Sequence, residues 1–360
     1  MCLYPKTIRN KKYIANDKNG GVIPTPPVLA IDEVVGEQYD KRVLFIQVPC
    51  GQCEECRKTK AREWQVRLHE ELRENKKAYY VTLTFSPKEL ENLCKKTRLK
   101  ECNAVAGYAV RHMLERWRKQ YKKSLRHWLI TELGHEGTER IHLHGIIFTE
   151  EQLKLTEIEP KGDGFYCHWD KWRYGICYFG NYCTAKTINY IVKYVNKIDT
   201  DHKGFIGEIL CSPGIGRNWL ERIESRREAY NYRPRATIDY YTLNNGCRIK
   251  LPKYYKNKLH NDEERELIWR EFMDTEQQTI AGHTYTKEVE PERIENIKTK
   301  ARELNHFYGY GNDSKEWQKK EYNVTRRMLA RIEREKAREA AKMDLKRKLE
   351  AAGVVFNEEN

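Results

Sequence analysis

The sequence predicts an α+β fold whose central sheet is antiparallel, and three observations carry that prediction. Two apolar runs, His127 to Leu133 and Ile141 to Phe148, flank the polar, glycine-bearing stretch Gly134-His135-Glu136-Gly137-Thr138-Glu139-Arg140, the signature of a β-hairpin. Apolar residues recur at helical spacing over residues 57–75 and 104–121, so helices precede the hairpin and pack beside it. An apolar content of 39% over 360 residues is enough for a real core, as one large domain with appendages or two modest ones.

The elements follow in order. Residues 5–40 contain Asn19-Gly20-Gly21 and Pro24-Thr25-Pro26-Pro27 and read as loop, followed by a strand over 42–48. In the helix over 57–75, Ala61, Trp64, Leu68 and Leu72 form the apolar stripe. Its Lys58, Lys60, Arg62 and Arg67 suit a solvated face or, as the sharper alternative, contact with DNA phosphate. A strand spans 79–85, and the helix over 104–121 turns Ala106, Val110, Met113, Leu114, Trp117 and Tyr121 inward. Residues 150–183 hold glycines, aromatics and a strand at 174–179, before Thr184 caps a further helix. Ser212-Pro213-Gly214-Ile215-Gly216-Arg217 forms a turn into another helix, its amides free for phosphate or simply closing the turn. The Tyr-, Arg- and Lys-rich residues 230–255 form short strands or a DNA-contacting surface, and 315–349 form a long, charged, solvent-facing helix. The resulting division is an N-terminal arm (1–56), a central domain (57–220), a basic accessory region (221–314) and a charged tail (315–360).

Chemistry concentrates in two strings. In an extended strand His142, His144, Ile146 and Phe148 share one face and Ile141, Leu143 and Ile147 the other. If Leu133 pairs with Ile141, Glu132 stands opposite His142 on that face, and two imidazoles and a carboxylate can grip one ion. Downstream, Thr187-Ile188-Asn189-Tyr190-Ile191-Val192-Lys193-Tyr194-Val195-Asn196-Lys197 puts Tyr190, Lys193, Tyr194 and Lys197 on one side of a helix. Ile188, Ile191, Val192 and Val195 take the other side. A phenol attacks phosphorus as its proton leaves, and a lysine one turn away lowers the cost of that charge. Either both tyrosines act in turn or one is catalytic while the other packs or binds DNA.

The eleven cysteines are an odd number in a chain that begins without a signal peptide, which argues for reduced thiols. Cys50, Cys53 and Cys56 fall within seven residues, Gly51 frees the turn to wrap an ion, and Cys2 is the candidate fourth ligand of a structural site. Four thiolates favour Zn2+, with an iron–sulfur cluster second. Cys94, Cys102, Cys167, Cys177, Cys183, Cys211 and Cys247 are scattered and read as unliganded.

These strings resemble the HUH endonucleases, and within them the replication initiators of the Microviridae, gokushovirus branch. Tyr80-Val81-Thr82-Leu83-Thr84-Phe85 matches the first family motif, His142-Leu143-His144 the second, and the Tyr190 to Lys197 string the third. Met1-Cys2, the Pro49 to Cys56 cysteine string and Ser212 to Gly216 add to the gokushovirus likeness, which covers about the first 220 residues.

The resemblance implies the HUH, RRM-like fold, with the His-x-His strand in the central sheet and flanking helices. It also implies a rolling-circle initiator that nicks single-stranded DNA at a phage origin through a 5′-phosphotyrosine, leaves a 3′-OH primer and rejoins strands at termination. Tyr194 and Tyr190 would be the nucleophiles, assisted by Lys197 and Lys193, and His142, His144 and Glu132 would hold Mn2+ or Mg2+. Host helicase and DNA polymerase are then the expected partners, since no phosphate-cradling Gly-x-x-x-x-Gly-Lys-Ser/Thr string occurs.

Composition agrees. Lys and Arg exceed Asp and Glu by 67 to 53, a net charge of +14 that favours a polyanion, and 23 tyrosines and 8 tryptophans offer rings for stacking bases. With no apolar run of membrane-spanning length, no membrane partner is expected and the cytoplasm of the bacterial host is the expected location. The rival reading is a non-enzymatic, zinc-dependent DNA-binding protein with the His and Tyr motifs in its core. Within the enzymes, a relaxase or transposase of the same chemistry is the alternative.

Overall fold

A computed structural model describes residues 2–32, 36–99, 101–135, 139–224, 239–243, 246–274, 278–286, 291–311 and 343–347. The chain separates into two compact units, Met1–Gly311 and Asn312–Asn360. In the second unit, residues 343–347 are helical; the rest of the charged helix expected over 315–349 lies outside the described residues.

In the first unit, the N-terminal arm forms β1 (Lys6–Arg9), β2 (Val28–Asp32), β3 (Gly36–Tyr39) and β4 (Phe45–Val48). β1 pairs with β4 and β2 with β3, both antiparallel. The helix α1 (Glu54–Glu74) leads to β5 (Ala78–Leu83), α2 (Pro87–Thr97), α3 (Cys102–Tyr121) and the hairpin β6 (Arg126–Leu133) and β7 (Ile141–Phe148). Three strands follow, β8 (Leu155–Lys161), β9 (Gly164–Trp169) and β10 (Trp172–Gly180), then α4 (Ala185–Ile191), α5 (Lys193–Asn196), β11 (Ile209–Cys211) and α6 (Asn218–Glu224). Further on lie β12 (Tyr240–Thr242), β13 (Arg248–Lys250), α7 (Lys253–Leu259), α8 (Asp262–Asp274), β14 (Gln278–Ile280), β15 (His283–Tyr285) and α9 (Pro291–Phe307).

The central sheet has seven antiparallel strands in the order β11-β6-β7-β5-β10-β9-β8, so the His-x-His strand sits inside it, as expected. Because strand side chains alternate, each sheet face takes its own helices. On one face Val105, Ala106, Ala109, Val110, Met113 and Trp117 of α3 pack against Val81, Leu83, Leu129, Leu143 and Ile147. On the other, Ala61 and Leu68 of α1 and Ile188, Ile191, Val192 and Val195 of α4–α5 cover Trp128, Ile130 and Ile146. The inner strands approach closely at Gly145, where a Cβ would stand 2.1 Å from the Trp128 carbonyl oxygen.

Several local expectations are corrected. The arm over 5–40 is not mainly loop: β2 and β3 pair although Leu29 and Ile31 are exposed, and an exposed ribbon leaves no in–out alternation to read. The strand expected over 42–48 begins only at Phe45. Asp40, fully buried, accepts from the Arg42 amide and guanidinium and from Arg270, which winds Lys41–Leu44 into a 3-10 turn instead. The helix α2 went unread despite its signals, for Ser86 Oγ accepts from the Glu89 amide and Pro87 opens the first turn. β8 is exposed along nearly its whole length and so also lacked a periodic signal.

The Ser212 to Arg217 segment does feed a helix, α6. Its alternative reading as a phosphate loop fails at Gly216, whose amide donates to buried Glu71 at 2.7 Å while its carbonyl accepts from Tyr255. Gly216 has φ +74° and a Cβ there would meet the Arg67 carbonyl oxygen at 2.6 Å, so the glycine serves a tight packed turn. Of residues 230–255, β12 and β13 supply the short strands, while 225–238 and 244–245 lie outside the described residues.

Candidate active site

The hairpin pairs Leu133 with Ile141 and Glu132 with His142, the register that brings the three expected ligands together. Glu132 Oε2 lies 3.2 Å from His142 Nε2 and 2.9 Å from His144 Nε2, and the three ligand atoms fall within 4.8 Å of one another. The far side of each ring is held. His144 Nδ1 is 3.0 Å from both Tyr80 Oη and Thr82 Oγ1 on β5, and His142 Nδ1 is 3.2 Å from the Arg140 carbonyl. Such partners fix the tautomer that leaves Nε2 free as a ligand. Thr82 thereby acquires a role in the first motif that alternation alone did not assign.

Charge is arranged to the same end. Burial opposes ionisation of Glu132, but hydrogen bonds with His142, His144 and Lys197 outweigh it and hold the carboxyl well below the usual carboxylate range. Burial pushes the His144 imidazole below its ordinary value, favouring the neutral, ligating form. Two imidazoles and one carboxylate fit a divalent metal ion, with coordination positions left on the cleft side.

Thr184 caps α4 as expected: its amide donates to Thr187 Oγ1 at 3.0 Å, one half of a capping box. Ile188, Ile191, Val192 and Val195 are buried against the sheet, and Tyr190 stays exposed while Tyr194 is half-buried. The two hydroxyls are 2.6 Å apart. The Tyr194 ring stacks on His144, with centroids 4.3 Å apart and planes 9° from parallel. Burial, and then the hydrogen bond with Tyr190, raise the Tyr194 phenol well above its ordinary value, so the resting hydroxyl keeps its proton.

The expected single helix with one lysine beside each phenol needs correction. The helix breaks at Val192, α5 is a tight last turn in which the Val195 amide bonds to the Val192 carbonyl, and Lys197 is already extended with ψ 127°. That bend sends Lys197 Nζ to the Glu132 carboxylate, 5.9 Å from the Tyr194 ring centroid. Lys197 therefore joins the carboxylate to the phenol, whereas Lys193 is exposed. Buried Arg57 on α1 donates to the Lys197 carbonyl at 3.0 Å and lies over the Tyr310 ring, while the Asp199 amide donates to Tyr310 Oη. These contacts set where the helix ends.

A cleft of about 1380 Å³ opens from Glu132, His142, Tyr194 and Lys197 across Ile176 to His168, with Arg140 and Arg173 on its walls. It exceeds the roughly 300–1,000 Å³ of a small-molecule pocket and suits an extended chain. Beside it the tyrosine rings continue over the sheet, from Tyr190 to Tyr80, Tyr178 and Tyr166, with centroids 5.6 to 6.1 Å apart.

The four arm cysteines also converge. Cys2, Cys50, Cys53 and Cys56 Sγ atoms lie within 4.8 Å of one another, and two of the pairs are 3.9 Å apart. A Zn–S length of about 2.3 Å gives tetrahedral S–S separations of about 3.8 Å. Amides of Gln52 and Cys53 donate to Cys50 Sγ, and hydrogen bonds from Cys2 hold the Cys50 and Cys53 thiols low, Cys53 at about 7. Gly51 has φ +76°, the freedom the turn requires. Among the described residues, the other seven cysteines join no such group.

Residues 78–199 match a family model for replication-associated proteins of the ORF2 type. That span opens on the first residue of β5 and closes two residues beyond Lys197, so it holds the whole His, Glu and Tyr constellation. The replication-associated protein VP4 of Bdellovibrio phage phiMH2K is 23% identical over 235 residues, 61% of this chain and 70% of that protein. The phage-replication likeness carried by the motifs is thus borne out. No solved structure matches. Among the described residues, no helix is long and apolar enough to cross a membrane.

Proposed function

We propose, from this kinship with phage replication-associated proteins, that the chain is an HUH-type endonuclease and strand transferase that initiates rolling-circle replication. The observation that carries the reading is the stacking of Tyr194 on His144, which puts a hydroxyl pair beside a two-imidazole, one-carboxylate donor set. Single-stranded DNA at the phage origin lies in the cleft, its phosphates met by basic walls and its bases by the tyrosine row. His142, His144 and Glu132 would hold Mn2+ or Mg2+, which when bound draws charge from the scissile phosphate. Mn2+ is favoured because imidazole suits transition metals better than Mg2+.

Tyr194 attacks phosphorus: the phenol O–P bond forms and its proton leaves, the bond to the 3′ oxygen breaks, and that oxygen takes up a proton. The DNA 5′ phosphate stays on the tyrosine and a 3′ hydroxyl is released for a host polymerase, with a host helicase opening the duplex. Lys197, anchored on Glu132, places positive charge beside the phenol as it loses its proton. Tyr190, one hydrogen bond away, is positioned to receive the second strand, so that transfer between the tyrosines closes a circle. The cysteine cluster, with Zn2+ as its best-fitting ion, anchors the arm.

The test is a denaturing gel of purified protein incubated with labelled phage-origin single strand and Mn2+. A protein–DNA adduct that survives SDS, requires the metal and maps to Tyr194 or Tyr190 supports the reading. Tight DNA binding with no adduct would favour the non-enzymatic alternative.

A further inference from the structure

A second cluster of metal-type donors stands just past the tyrosine helix and belongs to neither centre described above. Asp199, buried, closes the turn after Lys197: its Oδ1 accepts the amides of Asp201 and His202 at 3.1 and 2.8 Å. Its Oδ2 faces two imidazoles, with His202 Nδ1 at 3.0 Å and His135 Nε2 at 3.8 Å. One ligand atom from each of the three residues falls within a 4.8 Å group. Ligands about 2.1 Å from a tetrahedral ion stand roughly 3.4 Å apart, which these separations bracket.

The far nitrogens point the same way. His135 Nδ1 is 2.8 Å from Asp201 Oδ2, and a ring donating there presents its Nε2 lone pair toward Asp199. His202 Nε2 is buried without a hydrogen-bond partner and 3.8 Å from Glu139 Oε1. A carboxylate behind each imidazole is the arrangement that orients metal-bound histidines. Three carboxylates, Asp199, Asp201 and Glu139, surround the two rings, so the local charge favours a cation. The cation facing His135 Nε2 at present is the Lys197 ammonium, 3.3 Å away.

We infer that His135, Asp199 and His202 form a second divalent-cation site, of the N2O type that takes Zn2+, Co2+ or Ni2+. The bound ion ties the hairpin loop to the segment that follows the tyrosines. It also takes His135 Nε2 from Lys197, leaving that amine to Glu132 and the incoming phosphate.

The experiment counts Ni2+ bound to the full chain by equilibrium dialysis and elemental analysis. His142→Gln and His144→Gln are present throughout, so that the first centre does not contribute, and the cysteine cluster is common to all samples. Adding His135→Gln should weaken binding of one Ni2+ at least about tenfold, and His202→Gln should do the same. His135 is exposed, so its replacement leaves folding intact, which a melting curve verifies. The inference is overturned if His135→Gln leaves Ni2+ stoichiometry and affinity unchanged.

Discussion

Replacing Glu132 by Gln keeps the side chain's shape and removes the one negative charge among the three donors at the proposed nuclease centre. In the native site Oε2 meets both imidazoles and Oε1 meets Lys197. The glutamine amide nitrogen must then face either the Lys197 ammonium, donor against donor, or the imidazole nitrogens that would bind the ion. Either choice weakens the metal, and loss of such a group costs about 10–100-fold in metal affinity or activity. That is about 1.4–2.8 kcal/mol.

Folding should change little, because Lys197 is 42% exposed and an ion pair that open contributes at most about 1 kcal/mol. The assay is Mn2+ titration of covalent adduct formation on labelled single strand, beside a thermal melt of the metal-free protein. The Mn2+ concentration for half-maximal adduct should rise about 10–100-fold, with partial recovery at high Mn2+. An unchanged Mn2+ dependence with full adduct yield would refute the reasoning and remove Glu132 from the ligand set.

Tyr194→Phe should lose most initial adduct and Tyr190→Phe should retain it but fail to release unit-length circles; an adduct formed by the double variant would overturn the tyrosine assignment. Cys53→Ser should lower the melting temperature and remove one metal equivalent, read by elemental analysis, without abolishing adduct chemistry; native protein free of zinc and iron would contradict the structural site. Burial holds His127 below the ordinary imidazole value, so its contribution is full above about pH 6.5 and is lost as pH falls from there toward the folded value. The melting temperature should therefore fall less steeply between about pH 7 and pH 5.5 in His127→Gln than in the native chain, and parallel curves would count against this account. Gly145→Ala puts a Cβ 2.1 Å from the Trp128 carbonyl and 2.8 Å from Leu129 Cα, which must part β6 from β7. Overpacking against backbone should cost at least about 3 kcal/mol, or roughly 6 °C or more of melting temperature, and an unshifted melt would refute the close approach.

What could be read from the chain alone was whatever rests on local period and pairing. The alternation in the two hairpin strands leaves one register that keeps Leu133, Ile141, Leu143 and Ile147 on the apolar face, and a one-residue slip would turn every one of them outward. Glu132, His142 and His144 follow from that constraint without any tertiary knowledge. The apolar stripe of Ile188, Ile191, Val192 and Val195 likewise left Tyr190 and Tyr194 on the uncovered side. The cysteine spacing pointed to a shared ion because three thiols so close along the chain have little freedom to separate.

Other features were decided by partners distant in sequence, which no window of residues contains. Tyr80 and Thr82 reach His144 across 64 and 62 positions, and only the placement of β5 beside β7 makes them its orienting groups. Lys197 was assigned to a phenol by helical spacing, but Arg57 and Tyr310, anchored in α1 and beyond α9, set the bend that turns it to Glu132. His135, Asp199 and His202 come from a loop and a turn without periodicity, and converge because the hairpin tip and the end of the tyrosine helix meet there. Local sequence sets which face a side chain takes; the closing of long loops on a packed sheet sets which groups it meets.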